Sequence, residues 1–287
     1  MTSLDTAFRL RRILVGLDAS PDSLAALDAA IDLAARMGAD LMGLFVEDAA
    51  LLRAAELPCC REVLHFSPLE RLVTRTDLEA KLRAQSEQAR KALEAAAERA
   101  RVQWSFQIAR GHVTAQLLAA AAHADLLALG RKGWSHKRRK GTGSTAREIA
   151  TCTLPVLLLP RGKILENVRL LVYFDGSDAS RRGLQAAAAL AQAGLDGITV
   201  LLVSEDGVNP AELRKEAGES LEGTGIEAHY SELDASSEKR IRDAFNAEPG
   251  GILVVGGRKL LEKAQKLEMV LSGIEMPLLL LGSGSES

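Results

Sequence analysis

RILVGLDAS at residues 12–20 returns as RLLVYFDGS at residues 169–177, and this recurrence decides the fold. The match continues without a gap: DASPDS from Asp18 aligns with DGSDAS from Asp175. Each copy then runs through an Ala/Leu-rich helical stretch into an apolar segment, LMGLFVED in one and ITVLLVSED in the other. Further on, DLLALG ending at Gly130 matches GILVVG ending at Gly256, and LPVLLLP (154–160) matches MPLLLLG (276–282). Four segments recurring in one order mark two copies of one structural unit. The expected domains are residues 1–160 and 161–287, meeting at the short polar stretch RGKILEN (161–167). Between the second and third landmarks the first copy is the longer, and the extra residues fall at 48–76.

Runs such as ILVGL and VLLLP are apolar at consecutive positions, which suits strands covered on both faces. In the first copy strands are expected near 12–18, 40–46, 102–109, 125–130 and 154–159, with helices near 20–37, 77–101, 113–122 and 143–151. The second copy repeats strands near 169–174, 197–203, 226–231, 251–256 and 277–281. Strands alternating with helices imply right-handed βαβ crossovers and a parallel sheet. The fold class is therefore α/β, with two tandem open five-stranded parallel sheets of Rossmann-like type. Ser20 suits a helix cap, Pro21 the first helical position and Asp22 the positive helix end. The insertion at 48–76 carries LPCC and HFSPLE, and its two prolines argue against one unbroken helix.

Composition narrows the function classes. Lys plus Arg number 36 against 38 Asp plus Glu, so bulk charge gives no argument for nucleic acid or an anionic membrane. The three cysteines, Cys59, Cys60 and Cys152, lack metal-ligand spacing and read as idle thiols in a reducing compartment. MTSLDTAFRLRR has no signal-peptide core, and no apolar run reaches the ~18 residues of a membrane helix. A cytoplasmic protein is expected.

In an open parallel sheet, ligands sit at the carboxyl ends of strands where the winding direction reverses. After the fourth strand of the first copy comes GRKGWSHKRRKGTGSTAREIA, in which Gly130, Gly133 and Gly143 are spaced G-x2-G-x9-G and lead directly into Ser144 and Thr145. Glycines let backbone approach a polyphosphate closely, and the free N–H groups of a helix start attract an anion. Lys132, Lys137, Arg138, Arg139 and Lys140 add positive charge to the same stretch. The competing reading is a basic surface loop whose Gly-Ser-Thr merely caps a helix. A Walker loop is excluded because Gly143 stands where a Lys is needed, and GLDAS after the first strand is not a dinucleotide fingerprint.

On these residues the chain resembles the universal stress protein family in its tandem form, over nearly its whole length. The most specific element is G-x2-G-x9-G-[S/T], matched by Gly130, Gly133, Gly143 and Ser144. The resemblance implies an adenine nucleotide alpha-hydrolase-like fold and an ATP site in the first copy, with Mg²⁺ as the accompanying ion. It carries Asp18 over as the acidic residue near adenine and ribose, Leu17 for its backbone only, and Val46 as the backbone reader of adenine. Leu129 and Gly130 would line the ribose and phosphate side, with Gly133, Gly143, Ser144 and Thr145 as phosphate cradle. The second copy keeps Asp175 and Val203, but GGRKLLEKAQKLEMVLSGIEMPLLLL after Val255 lacks the signature, so no ATP is expected there. Asp175 is then either a helix-start residue or a residual ligand. Dimerisation through last strands, common in the family, would here become an intramolecular pseudo-dimer with LPVLLLP and MPLLLLG at the pseudo-twofold, and a homodimer of whole chains stays open.

No catalytic constellation is visible. His112 and His123 fall on or near an expected helix, and a lone carboxylate at Asp18 is a weak metal signal. The expectation is a nucleotide-binding regulatory protein with an unidentified protein partner. A structural interaction protein with a vestigial loop and a slow ATP hydrolase are the alternatives.

Overall fold

Consecutive apolar residues force a strand to be covered on both sides, and the computed structural model shows where the covers lie. It describes residues 8–57, 61–63, 70–72, 74–131, 144–149, 152–160, 168–203, 209–233, 251–256 and 276–282. The first part of the chain forms β1 (Arg12–Leu17), α1 (Pro21–Met37), β2 (Asp40–Asp48), α2 (Ala49–Ala54), β3 (Arg61–Val63), β4 (Glu70–Leu72), α3 (Arg75–Ala100), β5 (Trp104–Gly111), α4 (Val113–Ala121), β6 (Leu126–Gly130), α5 (Ser144–Ile149) and β7 (Val156–Leu159). The remainder forms β8 (Arg169–Phe174), α6 (Asp178–Gln192), β9 (Asp196–Val203), α7 (Pro210–Leu221), β10 (Ala228–Leu233), β11 (Ile252–Gly256) and β12 (Leu278–Leu281). The insertion contains the short helix α2 and the antiparallel pair β3–β4, a hairpin the sequence reading did not anticipate.

Ten strands make one sheet in the order β10-β9-β8-β11-β12-β7-β6-β1-β2-β5. Read outward from its middle, each half repeats one strand order, and within each half all pairs are parallel. The α/β class with two open five-stranded parallel sheets is what the sequence called for. The halves join where β12 meets β7 antiparallel, with Leu279 opposite Leu157 and Leu278 opposite Leu158. These are the two apolar segments expected at the pseudo-twofold.

Side-chain alternation sorts the core into two layers. Ile13, Val15, Leu126, Ala128, Leu157 and Leu279 point into the layer under α1, α3, α6 and α7. Leu14, Leu127, Leu129, Leu158 and Leu278 point into the opposite layer, with Leu117 of α4 and Ile149 of α5. Each layer draws residues from both halves, so the joint is itself core. Every residue of β7 and β12 is buried, and a fully buried Leu or Val contributes about 1.5–3 kcal/mol by removal from water. Over the joint, Arg36 at the end of α1 donates to the carbonyl of Gly194 beyond α6 at 2.6 Å.

Helix α1 starts as its sequence dictates. Ser20 is the N-cap, its hydroxyl accepts from Ser23 N, Pro21 sits in the first turn with Asp22, and left-handed Gly38 ends the helix. Helix α3 opens on a reciprocal capping box between Thr74 and Asp77.

Candidate functional site

The carboxyl ends of β1, β2 and β6 lie side by side, because β1 pairs in parallel with β2 on one side and β6 on the other. Leu17 stands opposite Phe45, so Asp18 follows it level with Val46. Val15 stands opposite Ala128, so two residues on, Leu17 and Gly130 end their strands together. From β1 the chain leaves through α1 on one face of the sheet, and it reaches β6 through α4 on the other. The gap between β1 and β6 is thus the reversal point at which such sheets hold ligands.

Five of the nine residues singled out from sequence meet at this edge: Leu17, Asp18, Val46, Leu129 and Gly130. Leu17 and Leu129 are buried core side chains, which leaves their backbone groups for a ligand. Val46 is half-buried at the end of β2. Ser144 and Thr145 open the backbone of α5, whose Ala146 and Ile149 pack in the same layer as Leu129. Gly133 and Gly143 lie outside the described residues, as do Cys59, Cys60, Lys132, Lys137, Arg138, Arg139 and Lys140.

Asp18 has a local structural task. Its Oδ1 accepts from Ser20 N at 2.9 Å, and its own N–H donates to Ser23 Oγ at 3.3 Å. The Ser23 hydroxyl donates to Ser20 O at 3.0 Å. The second half reproduces this turn: Asp175 Oδ1 accepts from Ser177 N at 3.0 Å and from the Ser177 hydroxyl at 2.5 Å, and Ser180 Oγ donates to Ser177 O at 2.9 Å. Both turns need a left-handed residue after the aspartate, Ala19 at φ 58° and Gly176 at φ 77°. Asp175 therefore does serve as a helix-start residue.

Gly130 also has a packing role. A Cβ there would sit 2.5 Å from the carbonyl carbon of Asp22 and 2.7 Å from Ser23 N, so the end of β6 lies hard against the first turn of α1. At Gly256 the equivalent Cβ would meet Ala179 O at 1.8 Å. The first glycine of the signature is required by helix–strand approach in both halves.

Sequence reasoning passed over Arg131. It follows Gly130, its N–H donates to Leu159 O at 2.8 Å, and only 5% of its surface is exposed. The signal was available, since GRKG places an arginine between a buried strand and a glycine loop, yet burial is not written in charge. His112 precedes α4 without a side-chain cap bond, and His123 is exposed after it. Among the described residues no cluster of His, Cys, Asp or Glu is arranged to hold a metal ion, and no helix is long and apolar enough to cross a membrane.

The family model described as the universal stress protein family matches residues 9–160, more than half of the chain. The chain belongs to the universal stress protein family. No curated protein matches it in sequence. A solved universal stress protein from Archaeoglobus fulgidus DSM 4304 shares the fold with TM-score 0.72 at 17% identity, covering 97% of this chain and 100% of that one. A protein of unknown function from Pseudomonas aeruginosa PAO1 superposes with TM-score 0.58 at 16% identity, covering 97% of this chain and 94% of its own. Both matches extend over the two halves of the sheet. The family match itself ends with β7, and for the second half of this universal stress protein the solved structures show the fold alone.

Proposed function

We propose that this universal stress protein binds ATP in its first half and uses the nucleotide state to alter a contact with a protein partner. The observation that supports the reading is the meeting of Asp18, Val46 and Gly130 at the reversal point of the sheet, followed by the signature that leads into Ser144 and Thr145. Backbone N–H groups of the glycine stretch and of the α5 start would hold the phosphates, and Mg²⁺ would accompany them. The protein is read as a binding module, with at most slow hydrolysis by water attack on the held nucleotide.

A nucleotide that binds only the folded chain raises its stability by about 2.7 kcal/mol at a hundredfold excess over Kd. The expected result is an upward shift of the melting midpoint with ATP and Mg²⁺, abolished by Gly143→Val, since a β-branched side chain resists the left-handed backbone such a glycine supplies. A scan indifferent to ATP, with no nucleotide released from denatured protein, would overturn the reading. One observation favours a structural interaction protein instead. The Asp18 turn and the Gly130 approach recur at Asp175 and Gly256, where the signature is missing. That alternative expects unchanged partner recovery by Gly143→Val.

A further inference from the structure

A strand at the edge of a sheet offers unpaired backbone groups to a further strand, and folded chains ordinarily blunt such edges with charge, proline, a bulge or shortness. The ten-stranded sheet ends at β10 and β5. Strand β10 is six residues long, carries Glu232 and follows Glu227. Strand β5, WSFQIARG, has eight residues, no proline and one charge, Arg110, near its end. It stays in register with β2 over its whole length, without a bulge.

The ladder fixes which groups point outward. Leu41 N–H donates to Gln103 O at 2.9 Å, and in a parallel pair alternate residues turn both backbone groups towards the neighbouring strand. Ser105, Gln107 and Ala109 thus turn theirs to β2. Trp104, Phe106, Ile108 and Arg110 turn their N–H and C=O groups the other way, and among the described residues no strand lies beyond. Side chains follow their own alternation. Trp104 and Phe106 pack on the core layer that holds α3, while Ile108, next on that face, is 56% exposed. Gln107 is exposed on the opposite face.

We infer that β5 is a self-association edge, pairing antiparallel with β5 of a second copy about a two-fold axis at Gln107. In this register Trp104 stands opposite Arg110 and Phe106 opposite Ile108, so all four outward residues of each copy occupy hydrogen-bonded positions of the new ladder. Moving the axis to Ile108 would leave Trp104 without a partner. Directly opposite side chains share a face. The exposed Ile108 therefore covers Phe106 of the second copy, and the Arg110 guanidinium, held by Glu47 at 2.7 Å, comes beside an indole ring. The two arginines stay at opposite ends, so no like charges meet. An isologous pairing closes at two chains and leaves a β10 at each end of the joined sheet. The molecule joins its own halves by the same device, antiparallel β12 and β7. The contact calls for no nucleotide and stands apart from the ATP reading.

Sedimentation equilibrium of the full chain tests the pairing. Across the micromolar range the mass should rise towards twice 30.7 kDa and stop there. Gln107 meets Gln107 of the second copy across the axis, so Gln107→Lys sets two like charges face to face and should weaken the dimer about tenfold or more. Gln107→Glu should do the same, and mixing the two variants, which places opposite charges on the axis, should restore the dimer. Ile108→Lys should weaken it as well. Both positions are exposed, and an unchanged circular dichroism spectrum shows that each variant keeps its fold. A single-chain mass throughout, a dimer indifferent to Gln107→Lys and Ile108→Lys, or a mixture no better than either Gln107 variant alone would overturn the assignment. Growth beyond two chains would overturn it too, since β5 would then be meeting β10 of the next copy in an open array.

Discussion

At Gly256 a side chain has nowhere to go, because its Cβ would lie 1.8 Å from Ala179 O and 2.5 Å from the carbonyl carbon, both backbone atoms of the first turn of α6. Neither can swing aside as a side chain would. Gly256→Ala should therefore cost about 1–3 kcal/mol, the usual range for overpacking a close-packed core, read as a lower urea midpoint at constant m. The cost is expected even though this half lacks the phosphate signature. An unchanged midpoint would mean that helix and strand slide apart freely, and that the glycine serves something other than packing. The residue scale is also where the sequence was least transparent. Gly130 and Asp18 stood out as ligand residues, and the structure gives each a folding role shared with its counterpart in the other half. Arg131 went unnoticed because a charged residue beside a basic loop looks like surface, and only the ladder bond to Leu159 and the neighbouring β7 reveal that it is enclosed.

At the scale of the element, two helix starts invite comparison. Ser177 caps α6 through a hydroxyl that donates to Asp175 Oδ1 and accepts from Ser180 N at 3.2 Å, in a half-buried turn. Thr74 caps α3 in the open, through its box with Asp77. Losing an N-cap costs about 1 kcal/mol, and leaving an enclosed carboxylate oxygen with one donor fewer adds to it. Ser177→Ala should thus lower the midpoint more than Thr74→Ala, and denaturant melts of the two single variants check the ranking. The reverse order would show that the Asp175 turn is held by backbone alone. Elements with strong periodicity were legible: α1 starts one residue after its cap Ser20, and β1, β6 and β8 fall within two residues of where apolar runs put them. The β3–β4 pair was not, because REV and ERL are three residues each and too short to display a period of two. Strand β10 runs Ala228–Leu233, two residues beyond the expected 226–231, since an edge strand with half its residues exposed has no sharp hydrophobic limit.

Over the whole molecule, repetition of the chain implied that one strand arrangement would recur, and the fully apolar β7 and β12 marked the joint, but the order of the strands and the antiparallel pairing at the joint are read from the structure. That pairing makes each core layer continuous across the halves, and continuity has a thermodynamic consequence that the chain's own chromophores report. Trp104 and Trp134 both lie in the first half, and Tyr173 and Tyr230 both lie in the second. If the joint couples the halves into one cooperative unit, tryptophan fluorescence and tyrosine absorbance must give one coincident unfolding curve. ATP then sharpens the distinction. Binding worth about 2.7 kcal/mol to a cooperative unit of this length should raise both midpoints together by about 4–5 °C. Were the halves independent, the same ligand acting on the first alone would raise the tryptophan midpoint by about 8 °C and leave the tyrosine midpoint where it was. A tyrosine signal that ignores ATP while the tryptophan signal moves would mean that the three leucine-rich register pairs of the joint transmit no stability. A nucleotide in the first half would then have no thermodynamic route to a partner held by the second.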